Sequence, residues 1–166
     1  MAKIRKAETR DKNAVWEIIR EVIAGGDTYV FDPGSSKEEM LDYWFSPEKN
    51  VYVVSEMSSQ ETEVVLGTFW LKTNQPGLGD HVCNAAYMVS PAAHGKGIGR
   101  KMAEFSLEEA RRLGFTAMQF NFVVASNTAA VRLWQSIGME IIGTIPKAFR
   151  HKALGSTDAY IMYREL

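Results

Sequence analysis

The most informative run in the chain is Met88-Val89-Ser90-Pro91-Ala92-Ala93-His94-Gly95-Lys96-Gly97-Ile98-Gly99-Arg100. A strand ends at Val89, a glycine-rich turn follows, and a helix begins at once. Glycines carry no Cβ, so their backbone N–H groups can approach a ligand closely. A helix start adds unpaired N–H donors and the positive end of the helix dipole. Together these make a cradle for a phosphate, with Lys96, Arg100 and Lys101 as cations beside it. A tight strand-to-helix connection without any ligand would satisfy the same pattern. Two better-known cradles are excluded by spacing. A P-loop started at Gly95 needs a second glycine where Arg100 stands. A Gly-x-Gly-x-x-Gly fingerprint fails at Arg100 or at Met102, depending on the starting glycine.

Working outward, Val82 to Val89 is the strand before the turn, and the helix after it runs from about Gly97 to Leu113. Upstream, Val51 to Glu56 and Val64 to Leu71 are β-branched strands, the second with Gly67 as a bulge candidate. Before them, Val15, Trp16, Ile18, Ile19, Val22 and Ile23 recur at helical spacing after a cap at Thr9 or Asp11, and Ser36 with Glu39 forms a capping box for a second helix. Ile4 to Ala7 is extended. The loop between the two helices carries Tyr29 and Phe31, and aromatic loop residues often line clefts. Downstream come a strand from Ala117 to Val124, a short helix capped by Asn127 or Thr128, and strands from Glu140 to Ile145 and Asp158 to Tyr163. The order β-α-α-β-β-β-α-β-α-β-β predicts a mixed α/β domain, with hairpins early and crossover helices in the middle.

Composition agrees. The chain has 166 residues, 46% hydrophobic and 23% charged, which suits one domain spanning 1–166. Nineteen Lys+Arg against twenty Asp+Glu leave a net charge of -1, which argues against a nucleic-acid partner. The single cysteine, Cys83, excludes an internal disulfide and a multi-cysteine zinc site, and no metal is expected. No signal peptide or membrane-length apolar run is evident, so a soluble, cytoplasmic protein is expected.

The run through Gly99 resembles the acetyl-CoA motif of the GCN5-related N-acetyltransferases, Gln/Arg-x-x-Gly-x-Gly/Ala, with His94 in its first place. Asn127-Thr-Ala-Ala-Val-Arg-Leu-Trp134-Gln-Ser-Ile-Gly138-Met139 resembles their second motif, Asn-x-x-Ala-x-x-Leu-Tyr-x-x-x-Gly-Phe. The resemblance implies a mostly antiparallel mixed sheet with helices on both faces and a V-shaped splay between the central strands. It implies acetyl-CoA as co-substrate. The pantetheine arm would lie in the V against the backbone of Met88 and Val89. The pyrophosphate would sit on the N–H groups of His94, Gly95, Lys96, Gly97, Ile98, Gly99 and Arg100, with Asn127 and Trp134 beside the arm. More weakly, Asn84, Asn121, Asn127 and the segment from Gly143 to His151 resemble fungal proline-analogue acetyltransferases.

The catalytic pattern departs from the family. Trp134 stands where the family carries a tyrosine acid, and an indole is no practical proton donor. The strand from Val82 to Met88 has no carboxylate base. Catalysis would then rest on proximity, with the Val89 N–H polarising the thioester carbonyl. Cys83 reads as inert core. Asn84 and Asn121 interrupt apolar strands, where asparagine is depleted, and both are expected to face the gap as ligand contacts whose removal spares stability. Acceptor contacts are assigned to Tyr29, Phe31, Asn84, Asn121, Phe122 and Arg150. Arg150 belongs to a basic segment, Lys147 to Lys152, read as a loop bordering the acceptor cleft and favouring an anionic acceptor. It reads equally as a solvated loop or a dimer contact, and a homodimer stays open. The expected activity is N-acetylation of a small amine, an amino or imino acid. A protein or peptide acceptor and a non-catalytic acyl-CoA sensor are the alternatives.

Overall fold

Strand β3 (Glu63–Thr73) shows how the layers are made. Successive side chains of a strand point to opposite faces. Phe69 and Leu71 enter one core cluster and Trp70, between them, enters the other. The neighbouring strand β2 (Asn50–Met57) repeats the pattern, with Tyr52 and Val54 on one face and Val53 on the other. Both faces are therefore covered, which is why these strands read as nearly unbroken apolar runs.

The computed structural model describes residues 1–166. The remaining elements are β1 (Lys3–Lys6), α1 (Lys12–Ala24), α2 (Lys37–Trp44), β4 (Val82–Val89), α3 (Ile98–Arg112), β5 (Ala117–Val124), α4 (Thr128–Ser136), β6 (Glu140–His151) and β7 (Gly155–Glu165). One seven-stranded sheet runs in the order β1-β2-β3-β4-β5-β7-β6. Every pairing is antiparallel except β4 with β5. Helices α1 and α2 supply Ile19, Ile23, Met40 and Trp44 to one face. Helix α3 supplies Met102, Ala103 and Leu107 to the other, and α4 adds Trp134. No helix is long and apolar enough to cross a membrane.

The α/β element order is the one expected. The capping box is present: Ser36 accepts from the N–H of Glu39, and the Glu39 carboxylate accepts from that of Ser36. A register shift opposite Val54 and Ser55 places the bulge next to Gly67. A Cβ on Gly67 would lie 3.1 Å from Met102 Sδ and from the carbonyl of Met88, so glycine lets α3 close on the sheet. At α1, Asp11 holds the cap position, but its carboxylate accepts from Glu8 N–H and pairs with Arg5 instead of capping the helix.

The last hairpin corrects the sequence reading. Strands β6 and β7 run to His151 and from Gly155, so Lys147 to His151 is strand and not loop. A bulge between Ile145 and Phe149, with Lys147 at φ 51°, carries the ladder past Pro146. Proline is tolerated at such bulges and on edge strands. The tip of the hairpin reaches the α1–α2 loop, where Lys152 N–H donates to the carbonyl of Gly26 at 3.1 Å.

Candidate active site

The pairing of β4 with β5 covers only Val82 with Ala117 and Cys83 with Met118. Beyond Cys83 the strands part, which is the splay the resemblance implied. The hydrogen bonds identify which backbone groups this opens. Val82 and Ser90 bond to the β3 side, through Asn74 N–H and the Leu66 carbonyl, whereas His81 accepts from Thr116 on the β5 side. Alternation along an antiparallel strand then turns even-numbered residues toward β3 and odd-numbered ones toward the gap. Ala85, Tyr87 and Val89 thus present their N–H and C=O groups to the open edge. Met88 does not: its backbone faces Thr68 on β3, its pairing partner. This corrects the expectation that Met88 and Val89 both offer backbone groups to a ligand in the gap.

Two of these open-edge residues are already engaged. The N–H of Ala85 donates to Asn84 Oδ1 at 2.8 Å. The hydroxyl of Tyr29 donates to the carbonyl of Tyr87 at 2.6 Å and accepts from its N–H at 3.0 Å.

At the narrow end of the V lies a cavity of about 230 Å³. Asn84, Asn121, Tyr29, Phe31 and Phe122 all line it, as do Thr28, Val30, Tyr43, Trp70, Ala85, Ala86 and Phe120. None of these side chains is charged. Asn121 and Phe122 sit where the β5–β7 register shifts between Phe120 and Val123. That irregularity turns Asn121 outward, where it donates to Asn74 Oδ1 at 2.7 Å and accepts from Gln119 Nε2 at 3.0 Å. Tyr29 stacks on Phe31, and Phe31 meets Tyr43 edge-on at 5.0 Å between centroids. Behind this wall Lys49 Nζ lies 3.3 Å from the Tyr43 centroid and 4.8 Å from that of Trp70, cation–π contacts that hold both rings.

Arg150 does not join them. It is exposed and alternates with Phe149, which is buried and packs edge-on to Phe122 at 6.5 Å. A one-residue step along a strand exchanges faces, so the basic segment contributes Phe149 toward the site. Tyr43 and Trp70 escaped the sequence reading. An aromatic off the apolar phase of α2 was the available signal for Tyr43, and nothing in β3 distinguishes Trp70 from core.

A larger groove of about 740 Å³ continues along β4 to the glycine-rich turn. Tyr87, Met88, Val89, His94, Gly95, Gly97, Ile98, Gly99, Arg100, Asn127 and Trp134 line it, but Lys96 does not. Gly95 and Gly97 adopt φ of 77° and 73°, and a Cβ on either would meet nothing within 4 Å. The turn therefore needs glycine for its conformation and leaves space on its open side. Gly97 caps α3, whose first turn carries no acidic side chain to compete for the free N–H donors. These features fit an anionic ligand such as a diphosphate. Asn127 Oδ1 accepts from Ala130 N–H at 3.3 Å, so it caps α4 while bordering the groove. Trp134 is buried, with its ring 4.8 Å from Tyr87 and 5.0 Å from Phe120. A narrower cavity of about 110 Å³, lined by Tyr29, Tyr87, Phe122, Asn127 and Trp134 among others, joins groove and acceptor cavity.

Burial raises the Tyr29 and Tyr87 hydroxyls well above the usual tyrosine range, so both stay protonated. Tyr87 is committed to the core through Ser106 Oγ at 2.7 Å. Burial also pushes the Cys83 thiol up to about 12. A thiol reacts as its thiolate, so Cys83 should resist a disulfide reagent such as DTNB at pH 8 in the folded protein and react fully in denaturant. Rapid labelling without denaturant would show an accessible thiolate instead.

The comparisons with known proteins agree with this geometry. The profile described as the Acetyltransferase (GNAT) family matches residues 16–139. N-acetyltransferase aca1 of Schizosaccharomyces pombe is 35% identical over 151 residues, 82% of this chain and 71% of that protein. L-methionine sulfoximine/L-methionine sulfone acetyltransferase of Salmonella typhimurium is 29% identical over 146 residues, 87% of this chain and 83% of that protein. The solved structure of a GCN5-related N-acetyltransferase from Kribbella flavida superposes with a TM-score of 0.91 at 39% identity, covering 99% of this chain and 98% of that one. With both motifs, the splayed sheet and a matching profile over most of its length, the chain belongs to the GNAT acetyltransferase family.

Proposed function

We propose that the protein transfers the acetyl group of acetyl-CoA to a small amine, an amino or imino acid, by direct attack of the amine. The observation that carries this reading is the meeting of two spaces at the open edge of β4. One is a long groove ending in a glycine cradle, and the other is a small aromatic cavity without a charged side chain. At about 230 Å³ the cavity lies just below the roughly 300–1,000 Å³ of common ligand pockets, a size for one small molecule. The relative that acts on methionine sulfoximine and sulfone supports an amino-acid acceptor, and the asparagine pattern supports an imino acid of the proline-analogue kind.

In this reading the N–H groups from Gly97 to Arg100 hold the diphosphate; contrary to the expectation from the motif, those of His94 and Lys96 already donate to the carbonyls of Pro91 and Ala93. The backbone of Val89 pairs with the pantetheine arm. Asn127 and Trp134 wall the arm. Bound acetyl-CoA supplies an activated acyl group. Asn84 is oriented by the backbone: only its oxygen can accept from the Ala85 N–H, so its NH₂ is left to donate. A donor suits the acceptor's carboxylate better than its amine. Asn121 has one N–H left beyond its bond to Asn74. With no carboxylate or histidine in the cavity, rate comes from holding the amine in line, an effect worth about 7–11 kcal/mol at best.

Free-thiol release from acetyl-CoA across amines, imino acids and peptides tests the proposal. Turnover is expected with amino or imino acids. Release with peptides alone, or with no acceptor at all, would overturn it. Trp134→Phe tests the role of the indole as wall. It should keep most of kcat, whereas a fall of about 100-fold or more, the scale of lost general acid catalysis, would assign Trp134 a proton.

A further inference from the structure

Tyr29, with its neighbour Thr28, lines all three spaces: acceptor cavity, connecting cavity and coenzyme groove. Its hydroxyl occupies both polar groups of Tyr87 on the open edge. Tyr87 stands where the groove gives way to the acceptor cavity, since Ala85 and Ala86 line the cavity and Met88 and Val89 the groove. Without the hydroxyl, a backbone donor and acceptor would stand unpaired there, a costly arrangement. Resting on the function proposed above, we propose that Tyr29 is a placeholder. Its hydroxyl satisfies Tyr87 until the coenzyme arm arrives and takes over those bonds. The displaced ring then carries the 28–31 loop into its acceptor-binding position.

The coupling follows from the packing. Tyr29 stacks on Phe31 at 5.9 Å, and Phe31 abuts Tyr43. All three rings line the acceptor cavity, so a shift of Tyr29 reshapes the wall that the acceptor meets. Tyr29 is thus a positioning residue that makes the acceptor site depend on prior occupation of the groove.

Tyr29→Phe keeps the ring and removes only the hydroxyl. Calorimetric titration with CoA should show binding about three- to ten-fold tighter than in the unaltered protein, because no internal bond must be broken first. Unchanged or weaker binding overturns the proposal. In the ligand-free state the Tyr87 amide should exchange hydrogen faster in Tyr29→Phe, and equal rates would overturn it as well. In a chain labelled with 3-fluorotyrosine, saturation with CoA should move the Tyr29 resonance, and a resonance that stays in place overturns the proposal even if the variant fails to fold. Absence of CoA binding to the unaltered protein would instead remove the proposed function, leaving the exchange comparison to judge the hold of Tyr29 on Tyr87.

Discussion

Replacing Gly97 by valine is expected to weaken CoA binding about 100-fold, equivalent to about 2.7 kcal/mol. Gly97 sits at φ 73° and caps α3. A β-branched residue there is a backbone outlier, so the turn would relax and its N–H groups would lose their common aim. The new side chain would also stand in space that is now open. The cost to folding should be smaller, about 1–2 kcal/mol for one residue forced left-handed. Calorimetric titration with CoA, beside a thermal melt, separates the two effects. Full affinity in a folded variant would remove the cradle from the site.

The second large effect is expected at the two asparagines. Asn84→Ala and Asn121→Ala should each lower kcat/KM for the acceptor about 10–100-fold, the scale of one or two hydrogen bonds to a charged group. The KM for acetyl-CoA should move much less. Their stabilities should differ. Asn84 holds the Ala85 N–H, so Asn84→Ala should cost about 1–3 kcal/mol, whereas Asn121 is exposed and its loss should be near neutral. This corrects the expectation that both amides serve the ligand alone. Asn84→Asp separates the roles, because a carboxylate still accepts from Ala85 but repels a carboxylate on the acceptor. That variant should melt like the parent and lose more activity than Asn84→Ala. Acceptor kinetics that stay at the parental level in all three would move the acceptor elsewhere.

The order of elements was legible because its signals are local: the Ser36–Glu39 box, the 3.6-residue spacing in α1 and α3, and the glycine turn each act within a few residues. The length of β6 was not legible. Most of its side chains are exposed, so the alternation that marks a half-covered strand is missing, and Pro146 argues locally against a strand. The error at Arg150 followed, since treating 147–152 as loop hides the alternation that buries Phe149. Asn84 and Asn121 stood out because an amide within an apolar strand needs a reason. Which atoms of Asn84 are free depended on the backbone edge, a tertiary fact. The same holds for Tyr29: its place in an aromatic loop was visible, its grip on Tyr87 was not.

The two-residue ladder between β4 and β5 has a mechanical consequence. It is the only strand pairing that joins the β1–β4 half of the sheet to the β5–β7–β6 half, so it behaves as a fulcrum. From Cys83 to Val89 the arm of β4 extends six residues, roughly 20 Å at about 3.3 Å each. A rotation too small to break either rung at the fulcrum is magnified several-fold at the far end of that lever. Phe120, Tyr87 and Trp134 are wedged together just beyond it, and their combined bulk sets the resting angle. Trimming or enlarging Trp134, which does not line the acceptor cavity, would therefore retune the width of the mouth without altering a group that faces the acceptor.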